Sequence, residues 1–403
     1  MTTGILSGLS IVEGSAFVAV PLTGMTLAQL GADVIRFDPI GGGLDARRWP
    51  LDRAGNSLFW QGLNKGKRSL AVDLKTPEGR EIVTRLIARP GPEAGIFLTN
   101  LPAGGWLSYE ALRRHRDDLI MVSLTGNRDG SSAIDYTVHP ATGFPDITGP
   151  RDHDGPVNSV LPAWDVAAGL HAAVGLLAAE RRRARTGAGG LVQLALSDVA
   201  FAITAALGRM AQGELGLDDG GKAGNDLYGA FGRDFVTQDG RRVMVVALTP
   251  KQWAALKAVT GLDAELAMLA AQSGIDLDTE AGRYAARDGI AALLAPWFAA
   301  RSLAEIAVVL AGTGVSFGPY QSFRELAAAD PRVTVDGLFA TVAHPGGVAY
   351  RTPASPLAFD GEDRVPPTPA PRLGEHTDEI LASLGISERK IGRLHDAGTV
   401  AGP

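Results

Sequence analysis

Ser10-Ile-Val-Glu13, Leu22-Thr-Gly-Met-Thr-Leu-Ala-Gln-Leu30 and Val34-Ile-Arg-Phe-Asp38 decide the fold. The outer two are short apolar runs of the length expected for buried strands, and the middle one is long enough for a helix. Pro21 suits a first helical turn and Gly31 a helix end. Strand, helix, strand within about thirty residues is the repeating unit of a parallel sheet. Asp38 closes the second strand where dinucleotide folds place a ribose-binding acid. The glycine fingerprint of those folds is missing, because the first turn reads Gly14-Ser-Ala-Phe-Val-Ala-Val-Pro21. That argues against a nicotinamide cofactor.

The alternation continues. Thr76 to Ala88 reads as an amphipathic helix, Gly95-Ile-Phe-Leu-Thr-Asn100 as a strand, Tyr109 to His115 as a helix and Leu119-Ile-Met-Val-Ser-Leu124 as a buried strand. The pattern predicts an α/β, Rossmann-like doubly wound sheet. Asn100 stands at the C-terminal end of its strand, the side on which such sheets bind ligands.

Composition narrows the function. With 403 residues and 45% hydrophobic content the chain can build more than one core. A net charge of −6 offers no field for a nucleic acid. The absence of cysteine excludes disulfides, thiolate nucleophiles and cysteine-based zinc sites. The seven histidines, 115, 139, 153, 171, 344, 376 and 395, show no metal-ligand spacing, so no metal is expected. No long uncharged apolar run and no signal-peptide pattern occur, so no membrane partner is expected and the cytoplasm is the expected location.

The stretch from Thr125 to Pro162 is rich in glycine and proline, and long irregular stretches of this kind are usually functional. It leads into Leu161-Pro-Ala-Trp-Asp-Val-Ala-Ala-Gly-Leu170, where Asp165 opens a long helix. Val166, Leu170, Val174 and Leu177 recur at helical spacing as its expected apolar face. Arg181-Arg-Arg-Ala-Arg185 suits the negative end of the helix, and Thr186-Gly-Ala-Gly-Gly190 stops it. A strand follows at Val192-Gln-Leu-Ala-Leu196. From the residues alone Asp165 is first an N-cap. The same place also keeps a carboxylate ionised, as covalent acyl transfer requires.

The domain expectation is a large α/β domain over 1–200, a helix and linker over 201–224, a smaller α+β domain over 225–322, and a C-terminal return over 323–403. The linker is Asp218-Asp-Gly-Gly-Lys-Ala-Gly224, and a hairpin turn is expected at Asp239-Gly240. Two basic segments are open to two readings. Gly41-Gly-Gly43 with Arg47 and Arg48 is a surface loop or a contact for phosphate or carboxylate. Asn64-Lys-Gly-Lys-Arg-Ser69 is a solvated turn or a polyphosphate cradle, though not a P-loop.

Several motifs in order resemble the class III CoA-transferase family. They are Leu6-Ser-Gly-Leu-Ser-Ile-Val-Glu13, Leu30-Gly-Ala-Asp-Val-Ile-Arg-Phe-Asp38, the segment Asn64 to Lys75, Asn100-Leu-Pro-Ala-Gly104, Asp165-Val-Ala-Ala-Gly169, Asp330-Pro-Arg332 and Leu373-Gly-Glu-His-Thr-Asp-Glu-Ile-Leu381. The resemblance implies an interlocked homodimer acting on an acyl-CoA, with no cofactor beyond coenzyme A as part of the substrate. It implies Asp165 as nucleophile. It implies CoA along the sheet edge near Arg36, Asp38, Lys65, Lys67, Arg68 and Asn100. The free carboxylate of the substrate would meet Arg47, Arg48 or His139.

Within the family, Ile134 stands where the racemase branch carries histidine, and Val18 where intermolecular formyl- and succinyl-CoA transferases carry glutamine. Gly143-Phe-Pro-Asp-Ile-Thr-Gly-Pro150 and the segment Val157 to Asp165 resemble the isomerase branch, which moves CoA between the two carboxyl groups of mesaconate. An intermolecular transferase on another dicarboxylate and a non-catalytic CoA-binding paralogue are the alternatives.

Overall fold

The structure is a computed structural model that describes residues 4–218, 220–335 and 337–403. Met1 to Thr3 and Asp219 of the expected linker lie outside the described residues. The chain divides into two compact units, one made of Met1–Thr142, Ser159–Arg209 and Ala329–Pro403, the other of Gly143–Asn158 and Met210–Ala328.

The first unit is built on six parallel strands: β1 (Ser10–Gly14), β2 (Asp33–Asp38), β3 (Arg68–Val72), β4 (Ile96–Thr99), β5 (Ile120–Thr125) and β6 (Gly190–Ala195). Their order is β3-β2-β1-β4-β5-β6, and Val400–Ala401 pairs antiparallel with β3 at one edge. β1 and β4 are buried along their whole length. That is why they read as unbroken apolar runs, since a parallel sheet is covered on both faces. The strand order reverses between β1 and β4, the place where open α/β sheets leave a crevice for ligands.

Seven helices of this unit position the site. They are α1 (Ala19–Ala28), α2 (Leu58–Leu63), α3 (Pro77–Ile87), α4 (Tyr109–Leu112), α5 (Asp135–Val138), α7 (Ala163–Thr186) and α8 (Leu196–Ala206), whereas α6 (Phe144–Ile147) belongs to the second unit. α3 starts with the Thr76 hydroxyl accepting from the Gly79 N–H and has proline in its first turn. Its Ile82, Val83 and Leu86 pack with Phe37, Phe97 and the C-terminal Ile380, Leu381 and Leu394. The C-terminal return therefore completes a core begun by the first strands.

α7 overturns one expectation. Its buried residues are Trp164, Ala168, Gly169, Ala172, Ala173, Leu176, Ala179 and Arg183, whereas Leu170 and Val174 are exposed. The helical period is correct and the face is not. α7 lies against α1 so closely that a Cβ at Gly169 would stand 2.7 Å from the Ala19 carbonyl oxygen. The Thr23 hydroxyl also donates to the Gly169 carbonyl at 2.9 Å. Only small side chains fit there, so the larger ones turn outward. Gly187, in the left-handed region at φ 71°, then ends the helix by donating to the Arg183 carbonyl.

In the second unit β7 (Phe231–Val236), β8 (Arg242–Ala247) and β9 (Ser316–Pro319) form an antiparallel sheet. The first two make the hairpin expected around Asp239-Gly240. Phe231, Phe235, Val243 and Val245 pack against Trp253, Ile290, Leu294, Phe298 and Ile306 of the helices between Pro250 and Leu310. The segment Gly143–Asn158, expected within the large domain, packs here instead. The Ala223 and Gly224 N–H groups donate to the Ile147 and Gly149 carbonyls, and Arg151 pairs with Asp226 and Asp288. The stretch expected as a loop also contains two short helices, α5 and α6.

No single described helix is long and apolar enough to cross a membrane.

Candidate active site

Asp165 lies in the first turn of α7, three residues after the cap position, which is Pro162. It is not the N-cap that its residue type suggested. Pro162 has no side-chain acceptor, so the free N–H groups of the first turn need one from elsewhere. Asp135 supplies it. One of its carboxylate oxygens accepts from the Trp164 N–H at 2.7 Å and from the Asp165 N–H at 3.0 Å. Asp135 is buried, at the start of α5.

One helical turn beyond Asp135, His139 is also buried, and its Nδ1 accepts from the Trp164 indole N–H at 3.0 Å. The His139 proton therefore sits on Nε2. Asp135 and His139 together clamp the backbone and side chain next to Asp165. His139 is placed as a brace for Trp164 through Nδ1, the nitrogen that accepts, and a substrate carboxylate could be met only by its Nε2.

The capping carboxylate leaves the Asp165 side chain free. Among the described residues it has no ion-pair partner and no side-chain hydrogen bond. Burial, and then the negative charge of Asp135, push its carboxyl up to about 6, against the pull of Arg48. At neutral pH it is mostly ionised, and weakly held by its surroundings compared with a salt-bridged carboxylate. That is the state of an available nucleophile.

Arg48 stands on the loop after β2. Its guanidinium lies over the rings of Phe17 and Phe59 at 5.5 and 5.3 Å. Phe17 adopts φ 66° in the turn between β1 and α1, rare for a residue with a side chain. Arg47 is exposed beside it.

The expected CoA-binding set divides. Asn100 sits where the strand order reverses. Its amide accepts from the Ala16 N–H at 2.9 Å and donates to the Ala16 carbonyl at 2.8 Å, which fixes the β1–α1 turn.

Arg36, Asp38 and Lys67 form a buried ion network. Arg36 donates to both oxygens of Asp38 at 2.9 Å, to both of Asp45 at 3.0 Å, and to Asn64 at 3.1 Å. Lys67 donates to Glu13 at 2.8 Å, to the Pro21 carbonyl and to Asn64. Burial weakens the guanidinium's hold on its proton, but Asp38, Asp45 and Glu13 more than reverse this. Burial pushes the Asp38 carboxyl up and the Lys67 amine down to about 8. With Arg36 and Asp38 at 1 and 2% exposure, these groups face one another and present nothing to a phosphate. That corrects the expectation for all three.

Lys65 is buried as well. It donates to the Gly62 carbonyl, and burial lowers its amine to about 8. Arg68 points to Asp33 and Glu379. Arg68 also begins β3, at the end of that strand opposite to its carboxyl end.

Asp135 and Trp164 are the functional neighbours missed from sequence as partners of Asp165. The spacing of Asp135 and His139, one helical turn apart, was the available signal.

Among the described residues no group of three histidine or carboxylate side chains is placed to hold a metal ion.

A parallel sheet whose strand order reverses between β1 and β4, with an uncompensated carboxylate at a helix start, defines a class that comparison with known proteins identifies. The model of CoA-transferase family III matches residues 6–377, and the chain belongs to that family. Among its relatives, 2-methylfumaryl-CoA isomerase of Chloroflexus aurantiacus is 57% identical over 99% of this chain and 98% of its own. Succinyl-CoA:mesaconate CoA-transferase of Haloarcula marismortui is 29% identical over 95% of this chain and 97% of its own. The crystal structure of a CaiB/BaiF family protein from Brucella suis superposes with a TM-score of 0.76, at 29% identity, over 94% of this chain and 99% of that one.

Proposed function

We propose that the protein is an intramolecular CoA transferase that converts 2-methylfumaryl-CoA (mesaconyl-CoA) into 3-methylfumaryl-CoA with Asp165 as nucleophile. The observation that carries the substrate is the end-to-end similarity to the Chloroflexus isomerase, double that to the mesaconate transferase. The free carboxyl of Asp165 supports the mechanism.

Asp165 attacks the thioester carbonyl, the C–S bond breaks, and an acyl-aspartyl anhydride and CoA thiolate form. The thiolate attacks the Asp165 carbonyl and releases the dicarboxylate, leaving an aspartyl-CoA thioester. The dicarboxylate attacks that thioester through its other carboxylate, forming a second anhydride and freeing the thiolate. The thiolate then attacks the substrate carbonyl and regenerates Asp165. Each covalent species keeps the energy of the thioester, so no nucleotide is consumed. Arg48 holds the carboxylate not engaged in the anhydride, since a guanidinium matches a carboxylate in shape and charge. CoA lies beyond the carboxyl ends of β1 and β4, where the strand order reverses, against the turn that Asn100 shapes.

The outward Leu170 and Val174 of α7, Leu191 of β6 and Phe201 of α8 support pairing of two copies.

The reading is tested by incubating mesaconyl-CoA with labelled free mesaconate. Isomerisation with no label in the product supports it. Full exchange of label establishes an intermolecular transferase instead. Hydroxylamine added during turnover should displace the thiolate or carboxylate from the activated Asp165 carboxyl and leave an Asp165 hydroxamate, and finding none there removes the covalent mechanism.

A further inference from the structure

The loop from Pro39 to Ser57 carries Arg48 but buries little of itself. Leu44 and Trp49 are each 79% exposed, and Gly41 and Gly42 take φ 85° and 89° at its entry. A loop of this kind has few apolar contacts to hold it and would be expected to move. Two side chains break the pattern, Ser57 at the end of the loop and Asp45 in its middle. Asp45, between exposed Leu44 and half-buried Ala46, is 1% exposed, and both its oxygens lie 3.0 Å from the Arg36 guanidinium.

Arg36 is itself buried and bonded on several sides. It is held by Asp38, Asn64 and the Ser15 carbonyl, and its guanidinium lies 4.4 Å from the centre of the Trp60 ring. The connection to Arg48 is short. The Asp45 carbonyl accepts from the Arg48 N–H at 3.2 Å, so the two residues close one tight turn. From the other side the Arg48 carbonyl accepts from the Ser57 hydroxyl at 2.6 Å. The guanidinium then reaches Phe17, two residues before Ala19. Ala19 contacts Gly169 of α7, and Asp165 is one turn earlier on that helix.

We propose that Asp45 is a positioning residue that latches this loop to the sheet through Arg36 and so places the Arg48 guanidinium for the substrate carboxylate. The inference rests on the reading of Arg48 given above. It assigns the buried ion network a part in the reaction although none of its members meets the substrate.

The test is a double-mutant cycle with Asp45→Asn and Arg48→Ala, assayed on mesaconyl-CoA. Misplacement of a binding group by about 1 Å can cost on the order of a hundredfold. Asp45→Asn should therefore lower kcat/KM by about ten- to a hundredfold, mostly through KM. In the Arg48→Ala background it should change nothing further, because the two act in series. Equal losses in both backgrounds overturn the proposal. Asp45→Glu, which keeps the charge on a longer arm, should recover part of the loss, and no recovery counts against the latch.

Trypsin provides a readout independent of activity. Asp45→Asn should speed cleavage after Arg47 and Arg48 while the melting temperature of the rest stays in range. Unchanged cleavage removes the latch even if turnover falls. If Arg48→Ala turns over normally, the reading of Arg48 fails. The trypsin result then decides separately whether Asp45 holds the loop.

Discussion

Two groups of buried carboxylates lie in the first unit, and they are built in opposite ways. Around Arg36, the three carboxylates of Glu13, Asp38 and Asp45 face two cations, Arg36 and Lys67, within ion-pair distance. At the start of α7, Asp135 spends its charge on two backbone N–H groups and Asp165 has no cation in contact. Burial is similar in kind, but the outcome differs. Compensated charges lock strands and loops together, whereas the uncompensated pair raises one carboxyl into the range where it can react and leave. A buried charge therefore signals chemistry when its partners are missing, and architecture when they are present.

The sharpest break in this comparison is Asp165→Asn. Without the proposed nucleophile, turnover of mesaconyl-CoA should fall by on the order of 10⁴-fold or more while CoA still binds. An unimpaired variant would refute the role. The same substitution should stabilise the fold at neutral pH. Asp165 is raised to about 6 when folded against an ordinary 3.8. Its contribution to stability is thus fully present below about pH 4 and is lost as pH rises through about 6. A shift of about two units corresponds to roughly 3 kcal/mol at most. Melting curves of Asp165→Asn should therefore lie above those of the parent at pH 8 and meet them near pH 4.

Arg36→Met is the matching break on the other side. It leaves Asp38 and Asp45 buried without their main partner and should cost about 3–5 kcal/mol by denaturant titration. A loss of under 1 kcal/mol would show that the network carries little of the fold.

How far the sequence revealed these groups follows from the same contrast. The parallel sheet was legible because its strands are buried on both faces, as Ile96–Thr99 shows. Asp165 stood out as the acid that opens a long helix after a proline, but the residues alone suggested an N-cap and only the family resemblance suggested a nucleophile. Its cap was not legible, because Asp135 comes from 30 residues earlier. The face of α7 was misjudged for a related reason. Spacing reports periodicity, but the close approach of α1 decides that Ala168 and Ala172 go in and Leu170 goes out. The basic turn Lys65 to Arg68 suggested phosphate because its counter-charges are remote. Glu13 is 54 residues from Lys67, and Glu379 is 311 from Arg68. Charges that meet across a fold read in one dimension as charges waiting for a ligand.

Asp135→Asn tests the electrostatic half of the contrast. Asparagine keeps an oxygen for the Trp164 and Asp165 N–H groups but removes the negative charge. The acid limb of the pH–rate profile, set near pH 6 by Asp165, should move to lower pH, with the fold destabilised by no more than about 1 kcal/mol. A limb that stays in place would mean burial alone raises the carboxyl.

The smallest expected effect belongs to Arg68→Ala. Arg68 bonds Asp33 at 2.7 Å and Glu379 at 2.9 Å, but its partners are 37 and 64% exposed. Pairs open to water gain little, because solvent screens them and two long side chains must be held still. The loss should be about 1 kcal/mol or less, and smaller in high salt. KM for the CoA substrate should not change, since Arg68 begins β3 and faces Asp33, away from the crevice between β1 and β4. A severalfold rise in KM would return Arg68 to the CoA site and show that the turn before β3 reaches the ligand after all. An unchanged KM leaves the cations of that turn divided between the buried network and the surface.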